Sequence, residues 1–138
     1  MRALSMILLS VAACSSGPSL SPSPDPPALV GVKWRVVSVA GRVPQPGHDI
    51  TFTLDAAGRG GGETGCNSYG GRFSVEEGRL VMHELQSTAA ICADPVAGGL
   101  ERAFLETFES RPFIGLVPGE LRLRGEAGEV VLVPAAGP

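Results

Sequence analysis

Lysine is almost missing from this 138-residue chain: Lys33 stands alone, and the eleven basic residues are otherwise arginine against fourteen acidic ones. A net charge of -3 with no basic run excludes the counterion-displacing patch that nucleic-acid binding requires. It equally excludes adhesion to anionic lipid through charge alone. Aromatics are sparse at 5%, too few for a platform that stacks bases or sugar rings. No apolar run reaches the length of a bilayer-spanning helix. Cysteines lack the short paired spacing of a zinc site, and no long internal repeat is visible. The length suits one domain, and 43% hydrophobic content is enough to give it a core.

What is present begins with a leader. Arg2 is a minimal positive start, and residues 3–13 form a short apolar run with the shape of a secretory signal peptide. Its end, Val11-Ala12-Ala13-Cys14, resembles a bacterial lipobox, in which cleavage precedes a cysteine that then carries lipid. The alternative is an ordinary cleavage site that releases a soluble exported protein. The resemblance implies residues 1–13 as signal peptide, Cys14 as the lipidated residue, and the membrane as partner through that lipid. Ser15 rather than aspartate after the cysteine implies the periplasmic side of the outer membrane in a two-membrane cell. In a cell with one membrane, the address would be its outer face. Residues 14–28 are rich in serine and proline, an extended tether that buries nothing.

With Cys14 assigned to lipid, Cys66 and Cys92 remain as an even pair, and export allows them to form a disulfide. A metal reading would join them with His48 and His83, against the spacing habits of zinc; no metal and no cofactor is expected. Gly60, Gly62 and Gly65 match a G-x-G-x-x-G pattern, but Cys66-Asn67-Ser68-Tyr69-Gly70-Gly71 follows and cannot open the helix such a site needs. Ser68, Ser87 and Thr88 have no histidine placed beside them by spacing, so no catalytic residue is expected.

The pattern of the folded part, residues 29–134, is mostly strand. Period-two alternation or strand composition marks Lys33–Val39, Ile50–Leu54, Arg72–Glu76 and Arg79–Leu85. It also marks Phe113–Val117, Glu120–Arg124 and Glu129–Val133. Asp55 to Gly62 reads as a glycine-rich turn, and Glu77-Gly78 as a hairpin turn. His48 lies in a Pro/Gly loop and is expected to be solvated. One helix is predicted between Asp94 as cap and Glu109, with Pro95 at its first position. Its apolar side would hold Val96, Leu100, Ala103, Phe104, Thr107 and Phe108, with Glu101, Arg102 and Glu106 opposite. Trp34, Phe52, Phe73, Leu121 and Leu123 join Leu100, Phe104 and Phe108 as the expected core. The fold class is mainly β: an antiparallel, barrel-like sheet with one packed α-helix.

Leu29-Val30-Gly31 before Trp34, the motif Gly65, Cys66, Asn67, Ser68, Tyr69, Gly70, Gly71, and Thr88 to Cys92 together resemble the META-domain (HslJ-like) family. One departure is Ala90-Ile91, where the family often has Met-Ala. The resemblance implies a barrel-like domain, often exported or lipid-anchored. It further implies a non-enzymatic role in stress or antibiotic tolerance and envelope maintenance, through an unknown envelope protein partner. The expected state is a monomer. A second reading, a carrier of a small hydrophobic ligand, requires a hollow barrel; an interior filled by Trp34, Phe52, Phe73 and Leu123 would exclude it.

Overall fold

The computed structural model describes residues 26–135, with side chains from Ala28 onward. The leader, Cys14 and the tether up to Asp25 lie outside the described residues. The elements are α1 (Pro26–Leu29), β1 (Lys33–Val39), β2 (Thr51–Leu54), β3 (Arg59–Glu63) and β4 (Ser68–Glu76). After them come β5 (Arg79–Ser87), α2 (Pro95–Glu109), β6 (Phe113–Val117), β7 (Glu120–Gly125) and β8 (Gly128–Pro134). The eight strands pair antiparallel in chain order, and β8 returns to β1, so the sheet is a closed barrel.

Residues 26–28, read from the sequence as part of a tether, belong to the first element. Pro26–Leu29 is a helical turn, Leu29 is buried, and the Gly31 N–H donates to the Leu54 carbonyl at 2.8 Å. The barrel thus grips the chain before β1 begins.

Alternation builds the interior. Trp34 and Val36 on β1, Phe52 and Leu54 on β2, Leu121 and Leu123 on β7, and Val130 and Leu132 on β8 are all buried. A register shift between Val36 and Ser38 returns Val39 to the same side. Phe104 and Phe108 reach in from α2. Phe108 stands 5.3 Å from Phe52 between ring centroids, and Phe104 meets Tyr69 edge-on at 5.4 Å, a favoured aromatic geometry. Of the expected core, only Phe73 is half-buried, packed against the rest from the rim. The pocket between α2 and β8, lined by Val39, Ala103, Thr107 and Val130, holds about 20 Å³. That is far below the several hundred Å³ of a ligand pocket. Trp34 Nε1 is buried without a hydrogen-bond partner among the described residues.

Two expectations about local structure need correction. The glycine run is not all turn: only Asp55–Gly58 turns, with Asp55 Oδ1 accepting the Ala57 and Arg59 N–H groups at 2.9 Å. Arg59–Glu63 is a strand paired with β2 and β4, and at Gly60, Gly61 and Gly62 a side chain would run into a neighbour. A Cβ on Gly62 would stand 2.2 Å from the Thr51 carbonyl oxygen. Strand propensity measures side-chain packing, so it misleads where packing requires none. The second correction concerns α2. Asp94 caps it, accepting the Val96 and Ala97 N–H groups at 2.8 and 3.2 Å. Its buried face, however, is Ala97, Leu100, Phe104, Thr107 and Phe108, while Val96 points out at 56% exposure.

The Glu77-Gly78 turn has positive φ at both residues, as a tight hairpin of this hand requires. Further along, Gly71 of β4 faces both Glu84 and Leu85 of β5, a bulge in which Glu84 takes φ 54°.

Candidate functional site

β3 carries the chain away from α1, since Gly60 pairs with Leu54 while Glu63 pairs with Ser68 at the far end. There the turn of residues 64–67 meets the segment of residues 88–94 that leads into α2. Cys66 and Cys92 are bonded across this junction, with Cα atoms 5.6 Å apart, inside the ordinary disulfide range.

Asn67 sits behind the disulfide, 5% exposed. Its Oδ1 accepts from the Thr88 hydroxyl and the Ala90 N–H, both at 2.8 Å. Its Nδ2 donates to the Ala90 carbonyl at 3.0 Å and to both Glu101 carboxylate oxygens at 3.1 and 2.9 Å. An asparagine side chain offers two donors and two acceptor sites, and all four are used. Thr64, 1% exposed, accepts the Asn67 N–H at 2.8 Å; its one hydroxyl proton lies between the Asn67 carbonyl and Glu101. One side chain therefore joins turn, crossing segment and helix.

Gly65 is required here twice over. Its φ is +89°, and a Cβ would lie 2.7 Å from the His48 carbonyl oxygen. The same approach corrects the expectation for His48: it is half-buried, with Nδ1 3.1 Å from the Gly65 carbonyl oxygen. Gly71 lies in the bulge, where a Cβ would come within 2.7 Å of the His83 carbonyl oxygen, whereas Gly70 has ordinary room. Tyr69 points inward and donates its hydroxyl to the Thr51 carbonyl at 2.7 Å. Burial raises its pKa well above the usual value, and the Glu63 carboxylate adds to the rise.

The residues singled out from the sequence thus gather in part. Cys66, Asn67, Thr88 and Cys92 meet at the junction; Tyr69 turns into the core behind it; Gly70 and Gly71 lie along β4. Two partners were missed, Thr64 and Glu101. Glu101 lies on the side of the helix that periodicity marks as polar, and periodicity cannot show that this side meets the Asn67 turn.

Chemically, the junction is closed: its carboxylate and amide are satisfied by the chain's own groups. The two sulfurs are bonded to each other, and among the described residues no three His, Cys, Asp or Glu side chains converge as a metal set. After Gly60 and Gly62 comes a turn rather than a helix, so the dinucleotide pattern has no phosphate-facing helix end. The structure does bring Ser74 Oγ within 2.9 Å of His83 Nε2, a pairing that spacing did not reveal. Both are on the barrel's outer face; Ser74 also contacts Glu76, and among the described residues no acid orients the imidazole from its other nitrogen. Beside the disulfide runs an open groove of about 430 Å³, lined by Ile91, Pro95, Arg102 and Leu105 among others. Ile91 is 96% exposed. Among the described residues no helix is long and apolar enough to cross a membrane.

The sequence pattern of the META domain matches residues 27–137. No curated protein matches the chain. Two protein structures solved by NMR share its fold. One is 19% identical, with a TM-score of 0.72, covering 81% of this chain and 96% of its own. The other, from Burkholderia xenovorans, is 23% identical, with a TM-score of 0.62, covering 93% of this chain and all of its own. At these identities the likeness speaks for the fold alone.

Proposed function

The chain belongs to the META-domain family, and on that premise we propose that it is a lipid-anchored envelope protein without enzymatic activity. In this reading it supports stress or antibiotic tolerance and envelope maintenance through a protein partner. Cys14 is the anchor, the serine- and proline-rich segment the spacer, and the domain acts as a monomer on the periplasmic side of the outer membrane. A cell with a single membrane would carry it on the outer face. The Cys66–Cys92 bond fits that address, since such bonds persist in oxidising compartments.

The observation that carries the reading is the use made of Asn67. Every hydrogen-bonding position of the motif's central side chain is filled by the chain itself, so the motif serves to hold a surface and not to transform a substrate. What it holds outward is Ile91, exposed on a segment clamped by the disulfide on one side and by Asn67 through Ala90 on the other. This surface lies at the end of the barrel away from α1. The packed interior weighs against a carried hydrophobic ligand.

The test is complementation of a deletion strain under envelope-active antibiotics. The wild-type chain should restore tolerance, and Ile91→Asp, which leaves the barrel intact, should not. Full rescue by Ile91→Asp would remove the contact surface; full rescue by a secreted Cys14→Ala chain would remove the anchor from the function.

A further inference from the structure

Arg59 of β3 and Arg72 of β4 are direct cross-strand partners, and Arg72 is in turn the partner of His83 on β5. Direct partners in an antiparallel pair stand on the same face with Cβ atoms about 5 Å apart. The three residues form one row across three strands, and all are exposed on the outside of the barrel. Like charges directly opposite one another cost stability, so this row is a local expense in a chain that carries few basic residues. Among the described residues neither guanidinium has a carboxylate at ion-pair distance. By contrast, Arg122 and Arg124 both meet Glu129, and Arg122 also meets Glu120.

The acidic groups nearby are otherwise engaged. Asp55 accepts the Ala57 and Arg59 backbone N–H groups, and Glu76 accepts the Ser74 hydroxyl at 3.2 Å. Two residues closer to the disulfide end, the same face presents Gly61 opposite Gly70, with Gln86 beside Gly70. The two facing glycines leave the sheet bare. Beyond them Ser68, Gln86, Ser87 and Thr88 border a shallow groove of about 370 Å³. The hydroxyls there turn to the chain itself, Ser68 to Glu63, Ser87 to the Thr88 carbonyl and Thr88 to Asn67. It is therefore the Gln86 amide that leads across this floor to the two unpaired arginines and to His83, whose Nε2 lies against Ser74.

We infer that this face binds a phosphate-bearing saccharide, with the phosphate held between Arg59 and Arg72 and the sugar lying over Gly61 and Gly70 toward Gln86. A planar carboxylate is satisfied by a single guanidinium fork. Two guanidinium forks at one spot offer donors to three or more oxygens, and a phosphate supplies them. The bare floor lets a sugar ring approach the backbone, where Gln86 can bond its hydroxyls. A flat anionic bilayer fits less well, because Glu63 along β3 and Glu76 along β4 stand on the same face to either side of the row. The site goes beyond the proposed role and rests on strand register alone, not on the anchor or on Ile91.

The test is an NMR titration of the full, isotope-labelled chain with glucose 6-phosphate, with inorganic phosphate and with glucose. Glucose 6-phosphate should give saturable shifts at Gly61, Gly70, Arg72, His83 and Gln86. It should bind about tenfold or more tightly than either fragment, and Arg59→Gln with Arg72→Gln should weaken it by a similar factor. The spectrum of that double variant should stay dispersed, since both side chains are exposed. Equal binding of glucose 6-phosphate and inorganic phosphate would overturn the inference, as only anion attraction would remain. Absence of saturable shifts, survival of binding in the double variant, or binding to anionic phospholipid vesicles in place of the sugar phosphate would each overturn it too.

Discussion

Asn67 and Glu101, 34 residues apart, are joined by one amide nitrogen that reaches both oxygens of one carboxylate. The pair ties the β3–β4 turn to α2, with Asn67 buried and Glu101 half-buried at the edge of the open groove, so it is Asn67's partners that are costly to orphan. Removing one member of a buried polar pair typically costs about 1–3 kcal/mol for each group left unsatisfied. Asn67→Ala should therefore lower stability by about 2–4 kcal/mol, since the Ala90 amide and the Thr88 hydroxyl also lose a partner. Denaturant unfolding measures this directly. In a double-mutant cycle, Asn67→Ala with Glu101→Ala should cost less than the sum of the single changes, by about 0.5–3 kcal/mol. Strict additivity would show that the two side chains do not act together.

The disulfide closes a loop of 26 residues. On the chain-entropy account, such a crosslink contributes about 3.5 kcal/mol by restricting the unfolded chain. Replacing both Cys66 and Cys92 with serine should lower the midpoint of unfolding without altering the barrel, because Asn67 still holds Ala90 from the other side. Thermal melts with and without reductant should reproduce the difference in the wild-type chain. A native preparation in which Cys66 and Cys92 both react with a thiol reagent would contradict the bond.

Gly65 and Gly119 separate two reasons for glycine. Both have positive φ, +89° and +77°, but only Gly65 has a backbone oxygen where a Cβ would go. Gly119→Ala should cost about 1–2 kcal/mol, the ordinary penalty of left-handed backbone. Gly65→Ala should cost more, because the clash with the His48 carbonyl cannot be relieved without moving the turn that carries Cys66 and Asn67. Comparing the two variants by chemical denaturation tests the ranking. Equal losses would mean that the turn gives way easily.

These contrasts show why some of the structure was legible in the sequence and some was not. Phe52 and Leu54, or Leu121 and Leu123, announce an inward face by period two, and Asp94-Pro95 announces a helix start, because each signal is local. Cys66 and Cys92 could be paired by counting once the leader was set aside. Arg59–Glu63 was hidden because its strand exists by fitting beneath Thr51, a contact between distant segments that leaves glycine where strand-formers are expected. Glu101 was hidden for the opposite reason. Its position on the helix was read correctly as polar, but alternation and helical period give a face without naming what comes to meet it. Val96 and Ala97 exchanged roles because they lie four and three residues before Leu100, both compatible with its face, and period alone does not choose between them.

Tyr69 is the chain's single tyrosine, so its ionisation can be followed without interference. In the folded domain its hydroxyl donates to Thr51, and burial keeps it protonated well above the ordinary value of 10.0. In the unfolded chain it would titrate near that ordinary value. The folded state thus binds the proton more tightly, and by linkage stability falls as pH rises above about 10. The contribution is complete below the unfolded pKa and is lost on the way up to the folded one. Tyrosinate absorbance should therefore appear together with loss of the folded signal, in one transition. Tyr69→Phe should flatten this alkaline loss, while at neutral pH it gives up a single hydrogen bond of about 1 kcal/mol. Ionisation near pH 10 with the barrel still folded would mean that the Tyr69 hydroxyl is open to solvent, contrary to the packing of β4 against α2.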